Sequence, residues 1–273
     1  MVADRLSTYV TPVFNNPEFH NGSSVIIASF FFAIQIYCDF SGYSDIAIGT
    51  ARTMGFDLMI NFNRPYFSRS IKEFWGRWHI SLSTWFRDYL YIPLGGNRVS
   101  NARKYVNLLI VFIVSGIWHG ANWTYIIWGA LHGVYRVAGM YTEKARKKFI
   151  TAVHLQENKL VYLMEILFTI CLVTITWIFF RANTVTDAFT LLRNLKSFGE
   201  APYLGDGINS MAHCITAILI LLAVEYKMEY LPEKFNLLRS NYRFVRWSTL
   251  IFAVFLILVL GVFNGGQFIY FQF

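Results

Sequence analysis

The chain has 273 residues, 55% of them hydrophobic and 15% charged, with 24 Lys and Arg against 16 Asp and Glu. A soluble domain carries about 25% charged residues, so an ordinary water-facing surface is excluded, and 18% aromatics exclude a disordered chain. Three cysteines are too few for a disulfide scaffold of this length, and the surplus bases fall between apolar segments rather than along one stripe, which argues against nucleic acid. What remains is an all-α, polytopic helical membrane protein.

In chain order, residues 1–23 carry Asp4, Arg5 and two prolines without a long apolar run, so no signal peptide is read there. A helix needs about 20 mostly apolar residues to cross the hydrocarbon. Residues 24–48, 160–180, 211–226 and 247–263 meet that standard. Residues 105–118 and 123–140 are shorter or interrupted by Gly and His, which suits the interior of a bundle. Short loops rich in Lys and Arg prefer the cytoplasm. Residues 143–148 and 227–246 are therefore placed inside, and 182–209, poorer in bases, outside. Counting backward puts 97–104 inside, with 120–122 and 1–23 outside. This parity requires that residues 71–92 do not cross. That stretch has too many charges for lipid and too many aromatics for water. Trp75, Trp78, Leu82, Trp85 and Tyr89 recur every three or four residues, which predicts one helical face and an interfacial or re-entrant amphipathic helix lining a cavity.

Polar residues inside apolar segments are costly and point to function. Three places stand out. Asp39 and Asp45 lie in the inner half of the first span, with Gly42 expected to loosen the helix between them. They could pair with Arg52, Arg64 or Arg77 to hold the bundle, or contribute to a metal site, although no His or Cys has ligand spacing. His79 lies among Arg77, Arg87 and Asp88 and is followed by Pro93-Leu94-Gly95-Gly96-Asn97-Arg98. Arginines around an aromatic cavity could read a phosphate-bearing donor, and the paired glycines could let backbone approach a ligand. A membrane-surface anchor of Trp and Arg would look the same. His119 ends an apolar helix within Ser115-Gly116-Ile117-Trp118-His119-Gly120-Ala121-Asn122-Trp123, where the small residues would clear space around it. A neutral imidazole there could take a proton from a hydroxyl in acyl transfer, or simply bond a neighbouring helix. His132 reads as mainly structural, and His20, His154 and His213 lie at or near loops. No nucleotide-binding glycine loop and no Gly-x-Ser-x-Gly elbow occurs.

Taken together, Tyr37-Cys38-Asp39-Phe40-Ser41-Gly42-Tyr43-Ser44-Asp45, Asn61-Phe62-Asn63-Arg64-Pro65-Tyr66, the long run from Arg77-Trp78-His79 to Gly96-Asn97-Arg98, and Trp118-His119-Gly120-Ala121 resemble the membrane-bound O-acyltransferase family. The likeness is to its bacterial polysaccharide (alginate) O-acetyltransferase branch, which the ending Phe268-Ile269-Tyr270-Phe271-Gln272-Phe273 also fits. It is dense over residues 31–135 and looser beyond. The resemblance implies that His119 is the catalytic histidine and His79 the second histidine, on the donor side. Arg77, Trp78, Arg87, Asp88, Arg98, Trp118, Asn122 and Asp39 would then bind substrate or line the tunnel, with Asn122 or backbone amides available to an oxyanion. It implies acetyl transfer from a cytoplasmic thioester, acetyl-CoA, with no resident cofactor and no metal. The acceptor would be an extracytoplasmic polysaccharide, reached through a periplasmic partner transferase, in the bacterial inner membrane. Family members carry further hydrophobic helices before the segment matching Met1 to Leu6. Residues 1–273 are therefore expected to be a single domain that is the C-terminal portion of a longer protein. Apart from the resemblance, a transporter or flippase component, or a non-catalytic scaffold of a glycan synthase, would share the spans and buried aspartates. Within the family, acyl transfer to teichoic acid is the neighbouring alternative.

Overall fold

The computed structural model describes residues 1–153, 158–199, 201–231, 237 and 240–261. Among them are ten α-helices and no strand. Four are long and apolar enough to cross a membrane: α2 (Gly22–Thr53), α7 (Lys159–Arg181), α9 (Ile208–Tyr230) and α10 (Arg243–Leu260). They sit on the four long apolar segments of the sequence, so the protein is an all-helical membrane protein. The two shorter segments form α5 (Asn101–His119) and α6 (Trp123–Ala152). His154, residues 262–263 of the last expected span, and the ending 268–273 lie outside the described residues.

The chain divides into two compact units. One holds Met1–Phe40 and the described residues from Arg193 onward. Its first element is α1 (Val2–Asn15), in a stretch without a long apolar run. The helix is amphipathic, burying Leu6, Tyr9, Val10, Val13 and Phe14. Arg5 donates to the carbonyls of Leu260 and Gly261 at 3.4 and 3.1 Å, satisfying the orphan acceptors at the end of α10. The Tyr37 hydroxyl donates to the buried Glu225 carboxylate, joining the first half of α2 to α9. A side chain on Gly22 would meet the Asn194 carbonyl at 2.7 Å, so only glycine lets the start of α2 approach that turn.

The second unit, Ser41–Leu192, carries every histidine weighed for chemistry. Its frame is the antiparallel hairpin of α5 and α6. A Cβ on Gly116 would lie 2.3 Å from the Tyr125 carbonyl oxygen, and one on Gly129 2.2 Å from that of Phe112. Small residues thus bring two backbones into contact, as between helices in lipid, where packing replaces the hydrophobic drive. Gly116 therefore tightens the hairpin rather than clearing space around His119. The α7 helix completes the frame through an aromatic core in which Trp78, Trp128, Trp177 and Phe180 are all at most 2% exposed.

Two other expectations change. Gly42 does not loosen α2, which runs unbroken through it, and a side chain there would touch nothing within 4 Å. The basic run 143–148, expected as a loop, is helical, because α6 continues to Ala152. Its exposed Glu143 and Lys147 form an i,i+4 ion pair at 2.6 Å, which supports such an extension.

Candidate active site

Residues 71–92 do not form one helix. The α3 helix (Ile71–Arg77) is capped by the Ser70 hydroxyl, which accepts from the Glu73 amide at 3.2 Å. It stops at Trp78, whose backbone is extended, and His79, which is left-handed at φ 43°. Then α4 (Ile80–Phe86) begins, and a π-turn, Arg87–Tyr91, follows it. The loop before α3 causes the break. The Asn63 amide donates to the Arg77 carbonyl at 2.9 Å and the Ile80 amide to the Asn61 carbonyl at 3.0 Å, replacing the helical bonds the kink gives up. The aromatic stripe is consequently split. Trp78 is 2% exposed and packs on Phe62, Phe74 and Trp177, whereas Trp85 and Tyr89 are 53% and 68% exposed.

This kink carries His79, and the last residue of α5 is His119. Both rings lie against the Trp118 indole, at centroid distances of 6.4 and 4.9 Å, and they are close enough to interact electrostatically. His119 is half-buried, edge-on to Trp128 and Phe180 at 5.0 and 5.3 Å. The two histidines are thus brought together, with Trp118, itself 56% exposed, between them.

The tautomers follow from hydrogen-bond logic. The Asn61 Oδ1 accepts from the Ser81 amide at 3.1 Å and the Ser81 hydroxyl at 2.9 Å, which fixes that atom as the carbonyl oxygen. His79 Nδ1 lies 3.2 Å from the same oxygen and 3.4 Å from the Ser81 hydroxyl, and since that hydroxyl gives its proton to Asn61 in the shorter bond, Nδ1–H is the donor to Asn61 Oδ1. Burial, which disfavours the charged form, pushes the His79 imidazole down to about 4. The neutral ring then has its lone pair on Nε2. His132 differs. The Trp75 indole N–H can only donate, so its 3.3 Å contact makes Nδ1 the acceptor, and Nε2–H donates to Thr176 Oγ1 at 2.9 Å. Thr176 in turn donates to the Val173 carbonyl at 2.7 Å. Fully buried, with both nitrogens engaged, His132 locks α6 to α3 and α7.

A cavity of about 570 Å³ lies between the α3–α4 segment and the α5–α6 hairpin. Ile80, the residue after His79, and Ser115, one helical turn before His119, line it, whereas the two histidines themselves are not among its lining residues. Lys72, Arg87 and Arg136 line it among Trp75, Leu108 and Phe112. A second cleft of about 410 Å³ shares Lys72 and Arg136 and adds Arg69 and Arg146. The amphipathic segment thus lines a cavity, but few of the residues the sequence nominated face it. Arg87 does, while also gripping Asp88 at 2.7 and 3.0 Å. Arg77 pairs with Glu73 at 2.7 Å and Arg52 with Asp57 at 3.7 Å. Trp78 is core, and Arg98 is exposed beyond the Gly95-Gly96 turn. In that turn Gly95 has φ 106°, and a Cβ there would strike Val99 at 2.5 Å, so the glycines close a turn. Asn122 caps α6 by accepting from Thr124 at 3.1 Å and donates to the Asn183 carbonyl at 3.1 Å. Asp39 stands on the part of α2 that belongs to the other unit. Sequence reasoning passed over Lys72, Arg136, Ser115 and Asn61. Arg136 was legible as a cation within an apolar stretch, Lys72 as one of the charges of the amphipathic segment, and Ser115 as the residue one turn before His119.

The sequence profile of the membrane-bound O-acyltransferase family matches residues 6–183, which contain the whole second unit's helical frame, and the chain belongs to that family. Among curated relatives, the probable alginate O-acetylase of Pseudomonas aeruginosa is 49% identical over 168 residues, covering 62% of this chain and 30% of the relative. The peptidoglycan O-acetyltransferase of Helicobacter pylori is 43% identical over 169 residues, 62% of this chain and 31% of the relative. The teichoic acid D-alanyltransferase of Bacillus subtilis is 36% identical over 125 residues, 43% of this chain and 32% of the relative. The matched part of the chain thus corresponds to about a third of each relative's length.

Proposed function

We propose that the protein provides the catalytic histidines of a multi-pass O-acetyltransferase in the bacterial inner membrane. Acetyl-CoA, a cytoplasmic thioester, is the donor, and the acceptor is a hydroxyl of an extracytoplasmic polysaccharide or of a periplasmic partner transferase. The observation that carries this reading is the convergence of His79 and His119 on Trp118, beside a basic cavity that their neighbours Ile80 and Ser115 line. The donor's phosphates suit Lys72, Arg87 and Arg136, which bring cations to an aromatic-walled channel. The His119 imidazole removes the acceptor hydroxyl proton as the oxygen attacks the thioester carbonyl. The C–S bond breaks, the new C–O ester bond forms, and the proton passes to the leaving thiolate. Positioned general-base catalysis contributes about 10²–10⁴-fold. The acetyl branch is preferred over D-alanyl transfer because similarity to the O-acetylating relatives extends over 62% of the chain, against 43% for the Bacillus subtilis D-alanyltransferase.

The test is His119→Ala in the complete protein at equal membrane abundance, reading acetyl ester on the polysaccharide from cells. A loss of about 10²-fold or more is expected. Activity within twofold of wild type refutes the assignment. Transfer of labelled acetyl from acetyl-CoA to polymer in isolated membranes separates this chemistry from transport, which makes no ester.

A further inference from the structure

We propose that Asn61 is a positioning residue for His79: its side-chain oxygen fixes the ring's orientation and holds it in the Nδ1–H tautomer, which keeps the lone pair on Nε2. The inference rests on the proposed function for the use of His79. Its geometry stands by itself in the hydrogen bonds around the α3–α4 break.

The Asn61-Phe62-Asn63-Arg64-Pro65-Tyr66 segment contains no general base and supplies none of the residues lining the basic cavity, yet it controls the kink chemically. Its backbone replaces the helical bonds lost at Trp78 and His79. The left-handed conformation of His79, and of Arg64 within the loop itself, is costly for a residue with a Cβ. That the fold accepts it at a histidine argues that the ring's direction matters. Phe62 stacks on the His79 ring at 6.4 Å and 30°, closing one face. The Asn61 Oδ1 then gathers three donors: the Ser81 amide, the Ser81 hydroxyl and His79 Nδ1–H. An imidazole free to choose its tautomer would present Nε2 as a base only part of the time. One with a fixed Nδ1 acceptor keeps its lone pair on Nε2 throughout. A neutral carboxamide does this without adding charge. A carboxylate at the same place would stabilise the imidazolium and remove the base at moderate pH. His119, facing the same indole from α5, is the other titratable ring beside it.

The rival explanation is that Asn61 merely caps the first turn of α4 through the Ser81 amide. Asn61→Ala, Asn61→Asp and His79→Ala in the complete protein separate the two. Acetyl transfer is measured from pH 5 to 9, with membrane abundance checked for each variant. Asn61→Ala should lose activity on the order of 10–100-fold, the loss seen when the outer partner of a functional imidazole is removed, and more in kcat than in KM. Asn61→Asp keeps the cap and the acceptor. It should retain more activity than Asn61→Ala, with the acidic limb of its pH–rate profile moved to higher pH. A purely capping role leaves that limb where wild type has it. Asn61→Ala within twofold of wild type, or an unshifted limb in Asn61→Asp, overturns the inference while an inactive His79→Ala preserves the assigned use of His79. His79→Ala with near wild-type activity overturns both.

Discussion

The α5–α6 hairpin holds His119 at its tip, so its packing offers a direct structural test. Replacing Gly129 with Ala puts a methyl 2.2 Å from the Phe112 carbonyl oxygen, 3.1 Å from its carbon and 3.3 Å from the Gly116 Cα. All three are backbone atoms, and none can swing aside. An ordinary C···O contact needs about 3.3 Å, so the helices must separate locally by roughly 1 Å. Overpacking of this kind costs about 1–3 kcal/mol. Gly139→Ala, ten residues along the same helix, is the matched control, because a side chain there meets nothing within 4 Å. It should gain about 0.5–1 kcal/mol from helix propensity alone. Thermal unfolding of the complete protein in one detergent, followed by tryptophan fluorescence, should show Gly129→Ala melting several degrees below wild type and Gly139→Ala at or above it. On the proposed function, acetyl transfer should fall with Gly129→Ala even below its melting range, because the hairpin tip carries His119. Equal melting temperatures for the two variants would refute the close-contact account of the hairpin.

Two further outcomes are expected. Burial lowers His79 from its ordinary 6.5 to about 4. Between those values the unfolded chain binds a proton that the folded ring refuses, so stability falls as pH drops from 6.5 toward 4 and is flat above. The contribution is up to about 3 kcal/mol. Melting curves at pH 4.5 and 7 should show a smaller pH difference in His79→Gln than in wild type, and an equal difference would count against the burial of this ring. Arg136→Gln, which removes a cation shared by both clefts, should raise the KM for the proposed donor, acetyl-CoA, several-fold with a smaller change in kcat. A change confined to kcat would place the donor elsewhere.

Much of the fold was legible because its signals are periodic or local. The four longest apolar runs became α2, α7, α9 and α10, since length and hydropathy alone decide whether a helix suits the hydrocarbon. His119 was legible as a polar residue ending an apolar helix. The break at Trp78 and His79 was not. The spacing of Trp75, Trp78, Leu82, Trp85 and Tyr89 satisfies a helix, and only two backbone bonds from a loop more than ten residues earlier override it. Glycine was ambiguous for a related reason. Gly42 and Gly116 look alike in sequence, yet one faces open space and the other a backbone carbonyl, a difference set entirely by the partner helix. Which arginines line the cavity was only partly legible, Arg87 being nominated and Arg136 not, because composition counts charge without pairing. Arg77 pairs with its own helix, whereas Arg136, on a helix read mainly for its glycines and His132, turns into the cavity.

Three imidazoles occupy one aromatic neighbourhood in this unit, and burial does not tell them apart, since His132 is the most enclosed of all. What separates structure from chemistry is the use of the ring nitrogens. A histidine whose two nitrogens are fixed by a donor-only indole and a threonine already committed to a carbonyl can neither gain nor release a proton without breaking a buried bond. Such a group costs about 1–3 kcal/mol to leave unsatisfied, which makes His132 a rivet. His79 has Nδ1 tied to an oxygen that can only accept, which keeps the lone pair of its neutral ring on Nε2. An apolar bilayer favours this arrangement, because a neutral ring with a defined lone pair carries no charge to desolvate until the reaction supplies a proton. On the proposed function, the left-handed backbone at His79 is what turns this ring toward the Trp118 indole, to which the glycine-tight hairpin brings the second imidazole.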